Sequence, residues 1–164
     1  MASPAHAAPS LPAIVVLVRH ADKASDDEDA PLSLAGSQRA QDLMRSLAHV
    51  KLSAIVTTQF IRSKDTAKPV AAAQGINPSC VKLAGGDAAT VAAHVADLKA
   101  KILTNPGGAV LVIGHNNTVP RLIAALGGPD ALPDIEHQVF DRFYVLLGTG
   151  AVQLIQSRYG APSP

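Results

Sequence analysis

A three-layer α/β/α sandwich, with a mainly parallel central sheet and an antiparallel strand near the C-terminus, is the fold this sequence predicts. Three observations predict it. Residues 13–18 (AIVVLV) and 109–113 (AVLVI) are continuous apolar runs without polar alternation, which suits strands buried on both faces. Stretches with helical periodicity lie between the strand-like runs, the alternation that builds parallel sheets. The last two strand-like runs, residues 140–147 and 151–157, flank Gly148-Thr149-Gly150, as in a hairpin.

Each element has its own signal. Residues 1–11 (MASPAHAAPSL) are small, Pro-rich and aperiodic, and are expected to be disordered or loosely held, with a single domain over residues 12–160. Within that tail, Ala5-His6-Ala7 followed by Ala8 fits a signal-peptide cleavage site, but the charged and apolar regions that should precede it are missing. A signal-peptide remnant implies a periplasmic or secreted protein, and a simple Ala-rich tail a cytoplasmic one. After the first strand, residues 21–31 are polar and include Asp26, Asp27, Glu28 and Asp29, which reads as a solvated loop; a calcium loop would need regular alternation and a Gly turn. Ser33 caps a helix to about Val50, with Leu43, Met44, Leu47 and Val50 on one face.

Residues 54–57 (AIVT) form a second short strand. A helical pattern over residues 60–74 ends at Gly75, and Pro69 inside it should kink or restart the helix. Residues 78–83 are a third strand candidate. Asp87 opens a long helix to about Leu103, with Val91, Val95, Leu98 and Ile102 on one side, and Asn105-Pro106-Gly107-Gly108 is a turn. The run at 109–113 leads into Gly114-His115. Asn116 to Thr118 can cap a helix with Pro120 in its first turn and Gly127-Gly128 past its end, and residues 128–138 are a loop.

Composition narrows the function. A chain of 164 residues makes about one domain and buries roughly 70% of its unfolded surface. The net charge of +1 lacks the basic excess of a nucleic-acid binder, and 3% aromatic residues with no Trp leave no platform for stacking bases. With 48% hydrophobic and 16% charged residues the chain is too apolar for disorder, yet its longest strongly apolar run stops at Val18, far short of the about 20 residues a membrane span needs. The single cysteine, Cys80, excludes an internal disulfide and is expected to be buried and inert. His6, His49, His94 and His137 are expected to be solvated or structural. Neither a nucleic acid nor a membrane is expected as a partner, and the chain is expected to be a monomer.

Two buried strands end alike, the first in Arg19-His20 and the fourth in Gly114-His115, while Arg62 lies near the start of the helix after the second. In a parallel sheet these C-terminal ends share one edge, where open α/β sheets bind ligands. Two guanidinium forks and two imidazoles in one crevice suit a phosphoryl group. The guanidiniums bind its oxygens and spread its charge, a helix N-terminus at Asn116 to Thr118 adds N–H donors, and one imidazole can attack phosphorus.

The motifs at these positions resemble those of the histidine phosphatase superfamily, the phosphoglycerate-mutase-like fold. Residues 17–24 (LVRHADKA) resemble its Arg-His-Gly or Arg-His-Ala signature, residues 57–67 (TTQFIRSKDTA) its second-arginine motif, and residues 112–118 (VIGHNNT) its second-histidine motif; Leu32-Ser33-Leu34-Ala35-Gly36 matches the stretch between the first two. The resemblance implies a phosphatase hydrolysing a phosphomonoester or phosphoramidate. His20 is then the nucleophile that becomes phosphohistidine, Arg19 and Arg62 clamp the phosphoryl oxygens, and His115 stabilises the transferring group, with Asn116 beside it. It implies no metal or organic cofactor; a zinc ion held by His20, His115 and an Asp would sit beside two repelling arginines. The chain is similar to the compact members, which include phosphohistidine phosphatases with a shallow, open pocket. Such a pocket admits water and favours hydrolysis over transfer, so the expected partner is a phosphorylated small molecule or a phosphohistidine protein.

The general acid is less defined. One branch of the family places an Asp directly after the second histidine, where this chain has Asn116. Another takes an acid from between the second Arg and the second His; Asp65 and Asp97 there fall within helices, leaving Asp87, which also reads as an N-cap. Asp22, two residues after His20, is the other candidate, and also reads as a loop residue paired with Lys23 or an arginine. The absence of a secure acid motivates the competing reading, a catalytically weak phospho-ligand-binding or regulatory module of the same fold.

Overall fold

The computed structural model describes residues 10–148 and 151–164. The candidate cleavage site at residues 5–8 and most of the expected tail lie outside them, as do Thr149 and Gly150 of the expected hairpin turn. Six strands and four helices follow one another as β1 (Ile14–Arg19), α1 (Leu34–Ser46), β2 (Ala54–Thr57), α2 (Ile61–Gln74), β3 (Ser79–Cys80), α3 (Ala88–Ile102), β4 (Ala109–Gly114), α4 (Thr118–Ala125), β5 (Arg142–Leu147) and β6 (Gln153–Arg158).

The strands form one sheet in the order β3-β2-β4-β1-β5-β6. The pairs β3–β2, β2–β4 and β4–β1 are parallel, while β1–β5 and β5–β6 are antiparallel, so β5 alone runs against the rest. The two apolar runs that lack polar alternation are the central neighbours β1 and β4, as burial on both faces requires. Side-chain alternation divides them between two cores. Val15 and Leu17 of β1 pack with Val110 and Val112 of β4 against α3 and α4. Val16 and Val18 pack with Leu111 and Ile113 against α1 and α2. The sheet is therefore the middle of three layers.

Several elements differ from their sequence expectation. α1 stops at Ser46 rather than near Val50; Ser33 caps its start by accepting from Gly36 N. α2 runs unbroken through Pro69, because Ser63, Thr66, Ala67 and Val70 bury the helix on both sides of the proline and offset the lost backbone bond. The third strand shrinks to Ser79–Cys80, since past Val81 the side chain of Gln59 replaces a neighbouring strand, bonding Leu83 N at 2.9 Å and Leu83 O at 2.8 Å. Cys80 is exposed rather than buried, because β3 is an edge strand of two residues. Asn117 occupies the N-cap of α4 without a side-chain cap, and the Thr118 hydroxyl instead accepts from His115 N at 2.9 Å.

Two glycines set close approaches near the strand ends. A Cβ on Gly36 would lie 2.1 Å from the Asp22 carbonyl oxygen, so the glycine lets α1 press against the segment after β1. A Cβ on Gly114 would come within 2.8 Å of Val119, so the turn from β4 into α4 closes only around a glycine there.

Candidate active site

The parallel sheet brings the ends of β1, β4 and β2 to one edge, with Arg19 opposite Gly114 in register. His20 N donates to Gly114 O at 2.9 Å and extends the ladder by one residue, which sets the two histidines side by side. Their ring centroids are 5.3 Å apart in an edge-to-face arrangement. Arg19, His20 and His115 are only 3%, 4% and 5% exposed, while Arg62 is half-buried at the start of α2.

Small hydroxyl side chains tie the strand ends together. Thr66 Oγ1 donates to Arg62 O at 2.7 Å and accepts from Ala21 N at 2.9 Å, joining α2 to the residue after His20. Ser63 Oγ donates to Ile113 O and accepts from Thr58 N, both at 3.1 Å, joining α2 to β4 and to the end of β2. Thr58 Oγ1 lies 3.0 Å from His115 Nε2 and orients that ring. Phe60 meets the His115 ring edge-on with centroids 5.5 Å apart. Sequence reasoning singled out the stretch 57–67 for Arg62 and missed these hydroxyls; their signal was three small polar residues in a segment otherwise shaped to pack.

His20 has a defined tautomer. Its Nδ1 lies 2.9 Å from Ala21 O, and a carbonyl only accepts, so Nδ1 carries the proton and Nε2 keeps its lone pair. Burial, aided by His115, Arg19 and Arg62, pushes the imidazole down to about 2, so the ring is neutral at neutral pH. Burial and then Arg62 push His115 down to about 3.

Arg19 is fixed by main chain. Its Nη1 donates to Glu136 O at 3.0 Å and to His137 O and Val139 O at 2.9 Å, and its guanidinium stacks 4.0 Å from the Phe140 ring centre. Burial and the nearby Arg62 lower it to about 10, which leaves it cationic. Arg62 stacks 4.2 Å from the Phe60 ring centre and donates to Glu28 O. Both arginines keep a buried Nε–H without a partner among the described residues. The four groups repel one another's positive charge, and the unmet donors are those an anion would fill.

Two hollows flank this floor. One of about 330 Å³ is lined by Arg62, His115, Asn116, Gln59, Phe60 and Glu28, with Gly85 and Gly86 on its far side. The other, of about 670 Å³, lies beside Arg19 and is lined by Asp22, Asp26, His137 and Phe140 among others. Asn116 thus faces the hollow as expected from its position, and its carbonyl accepts from Ile135 N at 3.0 Å.

The two candidate acids are engaged elsewhere. Asp22 Oδ2 accepts from Arg39 Nε at 2.7 Å, an ion pair in which Arg39 is buried. Asp87 is the N-cap of α3; its carboxylate accepts from Thr90 N and from the Thr90 hydroxyl, bonds that hold it below the usual carboxylate range. Asp87 does not line the hollow, whose wall ends at Gly86. The acidic run is an exposed loop, as expected, and it is also docked. Asp29 Oδ1 accepts from Ile61 N at 2.7 Å, which, with the Arg62–Glu28 bond, docks the loop on the start of α2. His94 is structural, buried with Nδ1 2.9 Å from Lys82 O.

Residues 15–85 match the family model of the histidine phosphatase superfamily (branch 1), a span that includes Arg19, His20 and Arg62. No curated protein matches the chain by sequence. Among solved structures, the protein histidine phosphatase SixA complexed with tungstate is 22% identical, with a TM-score of 0.65 over 88% of this chain and 96% of that one. The putative phosphohistidine phosphatase SixA from Agrobacterium tumefaciens is 24% identical, with a TM-score of 0.62 over 93% of this chain and 100% of that one. A mycobacterial glucosyl-3-phosphoglycerate phosphatase is 17% identical, with a TM-score of 0.65 over 91% of this chain and 99% of that one. These likenesses concern the fold, and the family match concerns the segment that carries the first histidine and both arginines. The chain is thus similar to the histidine phosphatase superfamily in sequence over residues 15–85 and to histidine phosphatase structures in fold over most of its length.

Proposed function

We propose that the protein is a metal-independent phosphatase that hydrolyses a phosphomonoester or phosphoramidate through a phosphohistidine on His20. The observation that carries this reading is the pair of orphaned guanidinium N–H groups of Arg19 and Arg62 beside a buried imidazole whose Nε2 is free. A phosphoryl group seated between the guanidiniums satisfies those donors and balances a cluster of like charge. The neutral Nε2 then attacks phosphorus in line with the leaving group. The N–P bond forms as the P–O or P–N bond breaks, and the bond from Nδ1 to Ala21 O stabilises the cationic phosphohistidine. Water next attacks phosphorus, the N–P bond breaks, and inorganic phosphate leaves His20 neutral again. In this reading His115, held by Thr58, and Asn116 donate to the equatorial oxygens. Tungstate in the related SixA structure is a tetrahedral oxyanion of the same shape, which supports an anion at this site.

The test is turnover of para-nitrophenyl phosphate by the wild type and by His20→Ala. The wild type should form an acid-labile phosphoenzyme, and the variant should lose turnover while keeping its circular dichroism spectrum. Near-normal turnover by His20→Ala would sink the mechanism. Vanadate binding without turnover by the wild type would instead favour a phospho-ligand-binding module.

A further inference from the structure

An in-line reaction on His20 fixes where a proton donor must stand. Nucleophile and leaving group lie on opposite sides of phosphorus. With Arg19, His20 and His115 forming a buried floor, the leaving group points outward, so only a residue on the rim can meet it. Among the described residues lining the hollow with Arg62 and His115, Glu28 is the one carboxylic acid. Its side chain is exposed, its charge acts on the Arg62 guanidinium, and its carbonyl accepts from that same arginine. The Asp29–Ile61 bond fastens the next residue to α2, so Glu28 is held at the mouth by its own carbonyl and by the neighbouring Asp29 carboxylate.

We infer that Glu28 is the general acid of this site, donating a proton to the leaving-group atom on the open side of the bound phosphoryl group. The inference rests on the phosphatase reading above. As His20 Nε2 bonds to phosphorus, the P–O bond breaks and its electron pair takes the proton of the Glu28 carboxyl, so the alcohol leaves neutral. In the second half, the Glu28 carboxylate accepts a proton from the attacking water as the N–P bond breaks, and the acid is regenerated. A residue of the loop between β1 and α1 would thus do what Asp22 and Asp87 are too engaged to do.

Glu28→Gln leaves the Glu28 carbonyl and Asp29 carboxylate contacts in place and removes the carboxyl's transferable proton and charge. Turnover of an alkyl phosphate and of para-nitrophenyl phosphate is compared for the wild type, Glu28→Gln and Asp27→Asn, a change in the same loop at a residue that lines neither hollow. The expected result is a loss of about 100-fold on the alkyl ester for Glu28→Gln, with less than about threefold on the aryl ester, whose leaving group needs no acid. Asp27→Asn should leave both rates near those of the wild type. Equal loss on both esters, loss on neither, the selective loss appearing in Asp27→Asn, Asp22→Asn or Asp87→Asn instead, or a wild type that turns over only the aryl ester would each overturn the assignment. In all of these the aryl-ester activity of the wild type and its dependence on His20 still stand, so the phosphatase reading is judged separately.

Discussion

Arg19 and Arg62 bring the same guanidinium to the same sheet edge by opposite routes. Arg19 ends a central strand, is almost wholly buried, and is gripped by three carbonyls from the segment before β5. Arg62 stands on the first turn of a helix, is half-buried, and rests on one carbonyl of an exposed loop. One is built into the fold, and the other is added at its surface. The charge felt at each histidine follows the same division. His115 answers to Arg62 before Arg19, and His20 to Arg19 before Arg62. In the proposed phosphoryl site only one of the two cationic arms is structural, and the second can be tuned by the loop that holds it.

The largest effect should come from breaking the two arms separately. Either Arg19→Ala or Arg62→Ala is expected to weaken vanadate by at least about 2 kcal/mol, roughly 30-fold, in a competition assay. Only Arg19→Ala should also lower the stability read from urea unfolding, by about 1–3 kcal/mol, because it removes a buried side chain and strands the buried Val139 carbonyl. If Arg62→Ala destabilises the fold as much as Arg19→Ala, the distinction between a structural and a surface arm is wrong.

A graded effect comes from pH. His20 and His115 are lowered to about 2 and about 3, while the same groups in the unfolded chain take protons near pH 6.5. Between those limits the unfolded state binds more protons, so stability is full above about pH 6.5 and falls as pH drops below it. Urea midpoints measured at pH 7.5 and pH 5 should show this decline above the range where carboxylates titrate. Arg62→Ala should flatten it by relieving His115. A midpoint that does not change between the two pH values would contradict the neutral, buried state of both rings.

The smallest effect belongs to Asp87. As a helix cap, its change to Ala should cost about 1 kcal/mol in stability, with turnover on either ester within about twofold. A large loss of alkyl-ester turnover would return the acid role to the α3 side of the hollow.

The chain's own letters reveal the two arms unequally. Two apolar runs without alternation mark β1 and β4 as central, and a parallel sheet then forces Arg19-His20 and Gly114-His115 to one edge. That inference needs only period and burial. The carbonyls around Arg19, the hydroxyls of Thr58, Ser63 and Thr66, and the docking of Glu28 and Asp29 on α2 depend on how segments far apart in sequence approach, which no local pattern encodes. Cys80 was misjudged for a related reason, since a β-like run does not say whether its strand is central or at the edge.

The grip on Arg19 carries a consequence for how such a site can diversify. Its three acceptors are main-chain oxygens, and the side chains of Glu136 and His137 are exposed. Main-chain acceptors are indifferent to the side chains they carry. The segment around residues 136–138 can thus exchange its side chains beside the larger hollow without releasing the arginine beneath. If the proposed phosphoryl site is right, anchoring and selectivity are written in different parts of the same residues, and side chains there can change while the seat of Arg19 stays fixed.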